Sequence, residues 1–248
     1  MSNSATKLLF TCPHGGEKEL DILRDKNSQP SGCNDEFITK RELMTQELTE
    51  SIHNNIKALG GIFPHMIMAS HHRKYVDFNR ERLCAFDERS VKAGDEYKAY
   101  HDEISLKINE MFSNNENGFA FLFDIHGFDE HIQNGQAFDI IIGNDQGRSI
   151  QVLNNFDSKA YWGDNGLIPL LRNKGYSIIP RDLNERLGGH SLDGGYTIQK
   201  YGSRQEVRQG LIAIQIEVAR SIRLDDNRRE ILAEQLAQSI YYFVSPFT

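Results

Sequence analysis

The sequence predicts an α/β fold: a three-layer α/β/α domain with helices on both faces of a central mixed, mostly parallel sheet. Three observations carry this. Short, nearly continuous apolar runs such as Phe119 to Ile125 and Leu211 to Val218 are the pattern of strands covered on both faces. Between such runs lie stretches in which apolar residues recur every three to five positions, the spacing of amphipathic helices. Glycine and proline punctuate the boundaries, and strand-like and helix-like segments alternate along the chain.

Lys7 to Cys12 reads as the first buried strand, ended by Pro13 and the pair Gly15 and Gly16, a turn where backbone can pass close to a ligand. From Thr39 to Leu59, the residues Leu43, Leu48, Ile52, Ile56 and Leu59 form one apolar stripe on a helix that Gly60 and Gly61 stop. A strand follows at His65 to Ser70. Gly94 to Phe112 reads as a helix, Phe119 to Ile125 as the central strand, and Ala137 to Ile142 as another strand, ended by Gly143 and Asn144. A helix over Gly166 to Asn173 precedes a short strand near Tyr176 to Ile179. Leu211 to Val218 is the last strand. Leu232, Leu236, Ile240 and Phe243 line a closing helix, capped by Asp225 or Asp226 and stopped before Pro246. Sheets of this kind place their ligands beyond the carboxyl ends of the strands.

With 248 residues and 39% hydrophobic content the chain can bury a full core, and a single domain over residues 1–248 is expected. A net charge of −7 argues against nucleic-acid binding, which needs a clustered basic surface. The opening MSNSATKLLF has no basic stretch feeding a long apolar segment, so neither a signal peptide nor a membrane span is expected, and the location expected is cytoplasmic. Cys12, Cys33 and Cys84 are an odd, scattered set without CxxC spacing, which fits reduced thiols.

Four segments could carry chemistry. His14-Gly15-Gly16-Glu17, just past the first strand, offers an imidazole and a carboxylate three residues apart with little steric obstruction between them. Asp124-Ile125-His126-Gly127 ends the most apolar strand, where a period of two puts Asp124 and His126 on one side. His14, Glu17 and His126 together have the composition of a catalytic zinc site with one position left open. In that arrangement Asp124 supports a ligand and is not itself a ligand. His126 reads equally as a hydrogen-bonded core histidine, and Glu17 as a solvated carboxylate. The segment from His71 to Arg80 gathers Arg73, Asn79 and Arg80, groups suited to a carboxylate, although a solvated basic loop paired with Glu81 and Glu88 has the same composition. His71 and His72 are adjacent on extended backbone, so their side chains diverge and both are left out of the metal shell. Glu217, in Gln215-Ile216-Glu217, interrupts the last apolar run; buried, it would have a raised pKa suited to a general base, and on an edge strand it would simply face water.

Taken in order, Pro13-His14-Gly15-Gly16, Arg73, Asp77-Phe78-Asn79-Arg80, Asp124-Ile125-His126, Asp139 to Gly143, Gly194-Gly195-Tyr196-Thr197 and Gln215-Ile216-Glu217 resemble the N-formylglutamate amidohydrolases over nearly the whole chain. That family is similar in fold to the zinc carboxypeptidases and aspartoacylase. The resemblance implies one zinc ion held by His14, Glu17 and His126, with Glu217 as general base and Arg73 polarising the scissile carbonyl. It further implies Asn79 and Arg80 as a carboxylate clamp and Tyr196 as a substrate contact. The activity implied is hydrolysis of the amide in an N-acyl amino acid with an acidic side chain, such as N-formylglutamate. The partner is then a small anionic substrate, with neither nucleic acid nor membrane involved. Two other readings stay open: a metallopeptidase or poly-γ-glutamate hydrolase using the same metal, and a non-catalytic binding protein on the same fold.

Overall fold

The structure is a computed structural model and describes residues 6–33, 37–113, 118–130, 132–133, 136–181, 193–202 and 210–247. The apolar runs become strands β1 (Leu8–Cys12), β2 (His65–Met68), β3 (Ala120–Phe128), β6 (Ile140–Gly143), β7 (Ile178–Ile179) and β8 (Leu211–Ala219), while β4 (Ile132–Gln133) and β5 (Gln136–Ala137) form a separate short ladder. Among the described residues the main sheet has the order β2-β1-β3-β8-β6-β7. Its strands are parallel except where β6 meets β8, which gives the mixed, mostly parallel sheet that the sequence predicts.

The periodic segments become helices, the long ones being α1 (Thr45–Leu59), α3 (Val91–Phe112) and α8 (Asp226–Val244). Shorter ones are α2 (Arg82–Ala85), α4 (Gln151–Phe156), α5 (Leu167–Arg172), α6 (Tyr196–Tyr201) and α7 (Arg220–Arg223). Ser90 caps α3 by accepting from Ala93 N, and Asp225 caps α8 by accepting from Arg228 N, each satisfying a donor that the first helical turn leaves open. α1 starts at Thr45, six residues later than its periodicity suggests, because Met44 adopts a left-handed conformation (φ 63°) and residues 37–43 are not helical. That difference matters for the site.

Alternation along the strands sends one set of side chains to each face. Leu8, Phe10, Phe121, Phe123, Ile212 and Ile214 join the core beneath α1 and α8. Leu9, Ala120, Leu122, Leu211 and Ala213 join the one beneath α3. On this second face each row turns polar toward its carboxyl end: Leu9 is followed by Thr11, Leu122 by Asp124 and His126, Ala213 by Gln215 and Glu217. Register aligns these groups, with Thr11 beside Asp124, Asp124 beside Gln215 and His126 beside Glu217. The apolar halves hold the sheet, and the polar ends converge where such sheets hold ligands.

Cys33 and Cys84 are bonded to each other, with Cα atoms 5.5 Å apart, whereas Cys12 is free and buried. The expectation of three reduced thiols is thereby corrected; a separation of 51 residues with no CxxC spacing gives no local signal of pairing. Among the described residues no helix is long and apolar enough to cross a membrane.

His101 anchors the α3 side of the core. Its Nε2–H donates to the Phe78 carbonyl at 3.1 Å, and Nδ1 lies 3.0 Å from the Tyr201 hydroxyl. Burial, helped by Lys200, pulls its pKa down to about 3. The unfolded chain takes up this proton near pH 6.5, whereas the folded one stays neutral to about 3. Between those values the unfolded state binds more protons, so stability falls as pH drops. Each pH unit costs about 1.4 kcal/mol, or about 2 kcal/mol between pH 6 and 4.5. We expect denaturant melts of His101→Gln to lose that share of the wild-type pH dependence in this window; an unchanged slope would show that other groups set it.

Candidate metal centre

Three segments bring ligand-type atoms together. His14 sits just past β1, where Gly16 allows the turn: a Cβ there would lie 2.5 Å from the Ala69 carbonyl oxygen. His126 projects from the polar end of β3. Glu42 lies in the non-helical stretch before α1 and is held against the first turn by its backbone N–H, which donates to the His14 carbonyl at 3.2 Å. One ligand atom from each of His14, Glu42 and His126 lies within 4.8 Å of the others, and the group can hold a metal ion.

Both imidazoles are oriented in the same way. His14 Nδ1 is 2.7 Å from Glu42 Oε1, while His14 Nε2 is 2.7 Å from Asp77 Oδ1. His126 Nδ1 is 3.2 Å from Glu42 Oε2, and its Nε2 is 2.9 Å from Asp124 Oδ2. Each ring therefore has one nitrogen on a fully buried aspartate and turns the other toward a shared carboxylate. A carboxylate on the far nitrogen fixes the tautomer and makes the near nitrogen a better metal donor. The aspartates are themselves held: Asp124 accepts from Thr11 Oγ1 at 2.6 Å, and Asp77 accepts from Asn79 N at 3.0 Å and Arg73 at 2.7 Å.

The charges balance through contact. Burial alone would raise the Glu42 carboxyl, yet His14 and His126 hold it well below the usual range. Burial would lower His126, but Asp124 and Glu42 raise it well above its ordinary value. A proton on His126 thus fills part of the positive charge that this anionic set calls for, and a divalent cation suits the same donors. Two neutral imidazoles and one carboxylate, with room beside them, match the donor chemistry of zinc.

Beside the cluster is a cavity of about 410 Å³ lined by His14, Glu42, Arg73, Arg80, His126 and Glu217, with Lys40 and Arg220 among its other walls. Glu217 is 5% exposed and accepts from Gln215 Nε2 at 3.0 Å. Burial, partly offset by His126 and reinforced by Glu42, pushes its pKa up to about 8. A carboxyl poised there can give and take a proton near neutral pH.

The expected residues are not all placed as their motifs suggest. Glu17 is a correction: its side chain is exposed, bonds to Arg41 and is absent from the cluster, and Glu42 stands in its stead. The turn after His14 pairs with the end of β2, Glu17 and Lys18 donating to the Ser70 carbonyl, and this points Glu17 outward. Arg73 lines the cavity, but its terminal nitrogens bind Glu42 at 3.0 Å and Asp77 at 2.7 Å, so it braces a ligand and a ligand's partner. Asn79 has its amide nitrogen 3.2 Å from His126 Nε2, and its oxygen accepts from Thr197 N at 2.8 Å, which ties the start of α6 to the site. Arg80 stays in the cavity wall. Tyr196, expected as a substrate contact, packs against His101 with ring centroids 5.6 Å apart, outside the lining of this cavity. His71 and His72 lie outside the cluster, as their adjacency implied.

By sequence the chain matches no family model and no curated protein. Among solved structures its fold is similar to that of N-formylglutamate amidohydrolase from Ralstonia eutropha JMP134, with a TM-score of 0.61, 13% identity, and coverage of 99% of this chain and 95% of that one. It is also similar to a gene product of Agrobacterium tumefaciens, with a TM-score of 0.60, 13% identity, and coverage of 98% and 92% respectively. The α/β fold expected from the sequence is thus similar, along almost the entire chain, to that of a solved N-formylglutamate amidohydrolase.

Proposed function

We propose that the protein is a zinc-dependent amidohydrolase that cleaves the amide of an N-acyl amino acid with an acidic side chain, such as N-formylglutamate. The observation that carries this reading is the placement of Glu217 one strand away from the His14, Glu42 and His126 group, at the wall of the same cavity. Zinc, when bound by these three residues, supplies the Lewis acidity that lets a water attack an amide near neutral pH. Glu217 takes the proton of that water and hands it to the departing amine, a double duty that a carboxyl titrating near neutrality performs. Arg73 and Asn79 keep Glu42 and His126 in place, so the donor atoms do not relax while charge shifts in the site.

Specificity for an anion follows from the cavity wall. Arg80 is 7% exposed in the cavity wall, with one terminal nitrogen donating to the Asn79 carbonyl at 3.1 Å, and its guanidinium brings a fixed positive charge to an anion bound there. Lys40 and Arg220 flank Asp129 at the wall and add positive charge toward the solvent side. We expect Arg80→Ala to raise KM for acidic N-acyl amino acids about 10- to 100-fold with kcat little changed, as loss of a charged hydrogen-bonded pair predicts. The direct test of the whole reading is elemental analysis of the purified protein together with turnover of a panel of N-formyl and N-acetyl amino acids. One zinc per chain with turnover restricted to acidic substrates is the expected result. Turnover of acyl-dipeptides alone would replace it with a peptidase, and zinc-independent turnover would end it.

A further inference from the structure

Arg223, in α7, is 2% exposed and is among the largest fully buried side chains, although it takes no part in the ligand set. Among the described residues its guanidinium forms no salt bridge with a carboxylate. Instead it donates to three main-chain carbonyls from separate segments: Nε to Val218 at 3.0 Å, one terminal nitrogen to Phe128 at 3.2 Å, and the other to Leu43. Leu43 follows Glu42, Val218 follows Glu217, and Phe128 lies two residues after His126. One side chain therefore ties together the backbone beside two of the three ligand residues and the proposed base.

The contact leaves no room for a Cβ at Gly127 unless the guanidinium moves. A Cβ on Gly127 would lie 2.2 Å from Arg223 Cζ, so the guanidinium occupies the space that any other residue would fill. With Gly127 so placed, its N–H donates to Glu42 Oε2 at 2.9 Å, which locks the carboxylate onto the strand that bears His126. Arg229 fixes the knot in turn, donating from its side chain to the Arg223 carbonyl at 2.8 Å. We infer that Arg223 is a positioning residue that holds Glu42, His126 and Glu217 in register for the metal and the water. The zinc part of this inference rests on the function proposed above, whereas the geometric part does not.

A lysine at this position keeps the charge but has a single nitrogen in place of the three that reach Val218, Leu43 and Phe128, so it cannot bridge the same separate segments. The test uses the full chain with Arg223→Lys, and Gly127→Ala as a second variant that dislodges the guanidinium while leaving it present. Leu236→Ala, a truncation in the core under α8, serves as a control for general loss of stability. Amide exchange of Gly127 in metal-free protein reports the Glu42 lock, and chelator competition with zinc alone reports affinity. In whichever of the two variants folds, we expect the amide at position 127 to exchange at least 10-fold faster and zinc to bind 10- to 100-fold more weakly, while Leu236→Ala changes neither comparably. Unchanged protection of Gly127, or an equal loss in the control, overturns the role of Arg223. Faster exchange in a protein whose wild type binds no zinc upholds the positioning and defeats the proposed function instead.

Discussion

Glu42→Gln should abolish tight zinc binding, whereas Glu17→Gln should leave it at the wild-type level. The two residues make opposite claims about where the carboxylate ligand comes from. Glu17 has the familiar spacing from His14 but is exposed and engaged with Arg41. Glu42 lies 28 residues from His14 in sequence, yet its two oxygens are 2.7 Å and 3.2 Å from the inner nitrogens of His14 and His126. Structural zinc sites are worth about 10–16 kcal/mol, so one of three protein ligands carries about 3 kcal/mol or more, a loss of over about 100-fold in affinity. Glutamine keeps the volume and one oxygen but removes the negative charge that balances two imidazoles and Arg73. Competition against a calibrated chelator measures both variants. Equal affinities would remove Glu42 from the ligand set, and a loss confined to Glu17→Gln would restore the HxxE reading.

The contrast shows which parts of the site are legible in the sequence. His14 stands in the turn just after a strongly apolar run, and His126 stands at the end of another, where a strand's period of two fixes the side on which it emerges. Glu217 breaks an otherwise apolar strand, and its row on the sheet follows from the same period. Glu42 has no such frame. It sits in Lys40-Arg41-Glu42, a charged stretch that reads as the solvated start of an amphipathic helix, and only the left-handed Met44 delays that helix to Thr45. The backbone conformation there thus separates a surface carboxylate from a member of the His14, Glu42 and His126 cluster, and composition does not encode it. Asp77 is half legible. Asp77-Phe78-Asn79-Arg80 attracts notice for its arginine and amide, while the buried aspartate on His14 Nε2 emerges only when the segment folds back over the first turn. Arg223 lies in a run of mixed charge near the carboxyl end of the last strand, and its burial is decided by carbonyls from three distant segments. The layer architecture, by contrast, follows from apolar runs long enough to leave few alternatives, whereas the strand order β2-β1-β3-β8-β6-β7 is seen only in the structure.

Glu217→Gln should keep zinc and lose turnover, and this separates base from ligand more sharply than any other change. The carboxyl is one strand from His126 in register but is not a member of the ligand group, so removing its charge leaves the three metal donors intact. Glutamine is nearly isosteric and can still accept from Gln215, which keeps the packing of β8. What it cannot do is accept a proton from water or pass one to an amine. General base and acid assistance contributes about 10²- to 10⁴-fold, and a single residue serving both steps lies toward the upper end, a barrier increase of about 4–5 kcal/mol. KM should move little, because Glu217 acts on the water and the leaving group while Arg80 carries the anion. Steady-state kinetics beside zinc stoichiometry decides the matter. A variant with near-normal kcat would assign the proton to another group. One that also loses its zinc would place Glu217 among the ligands.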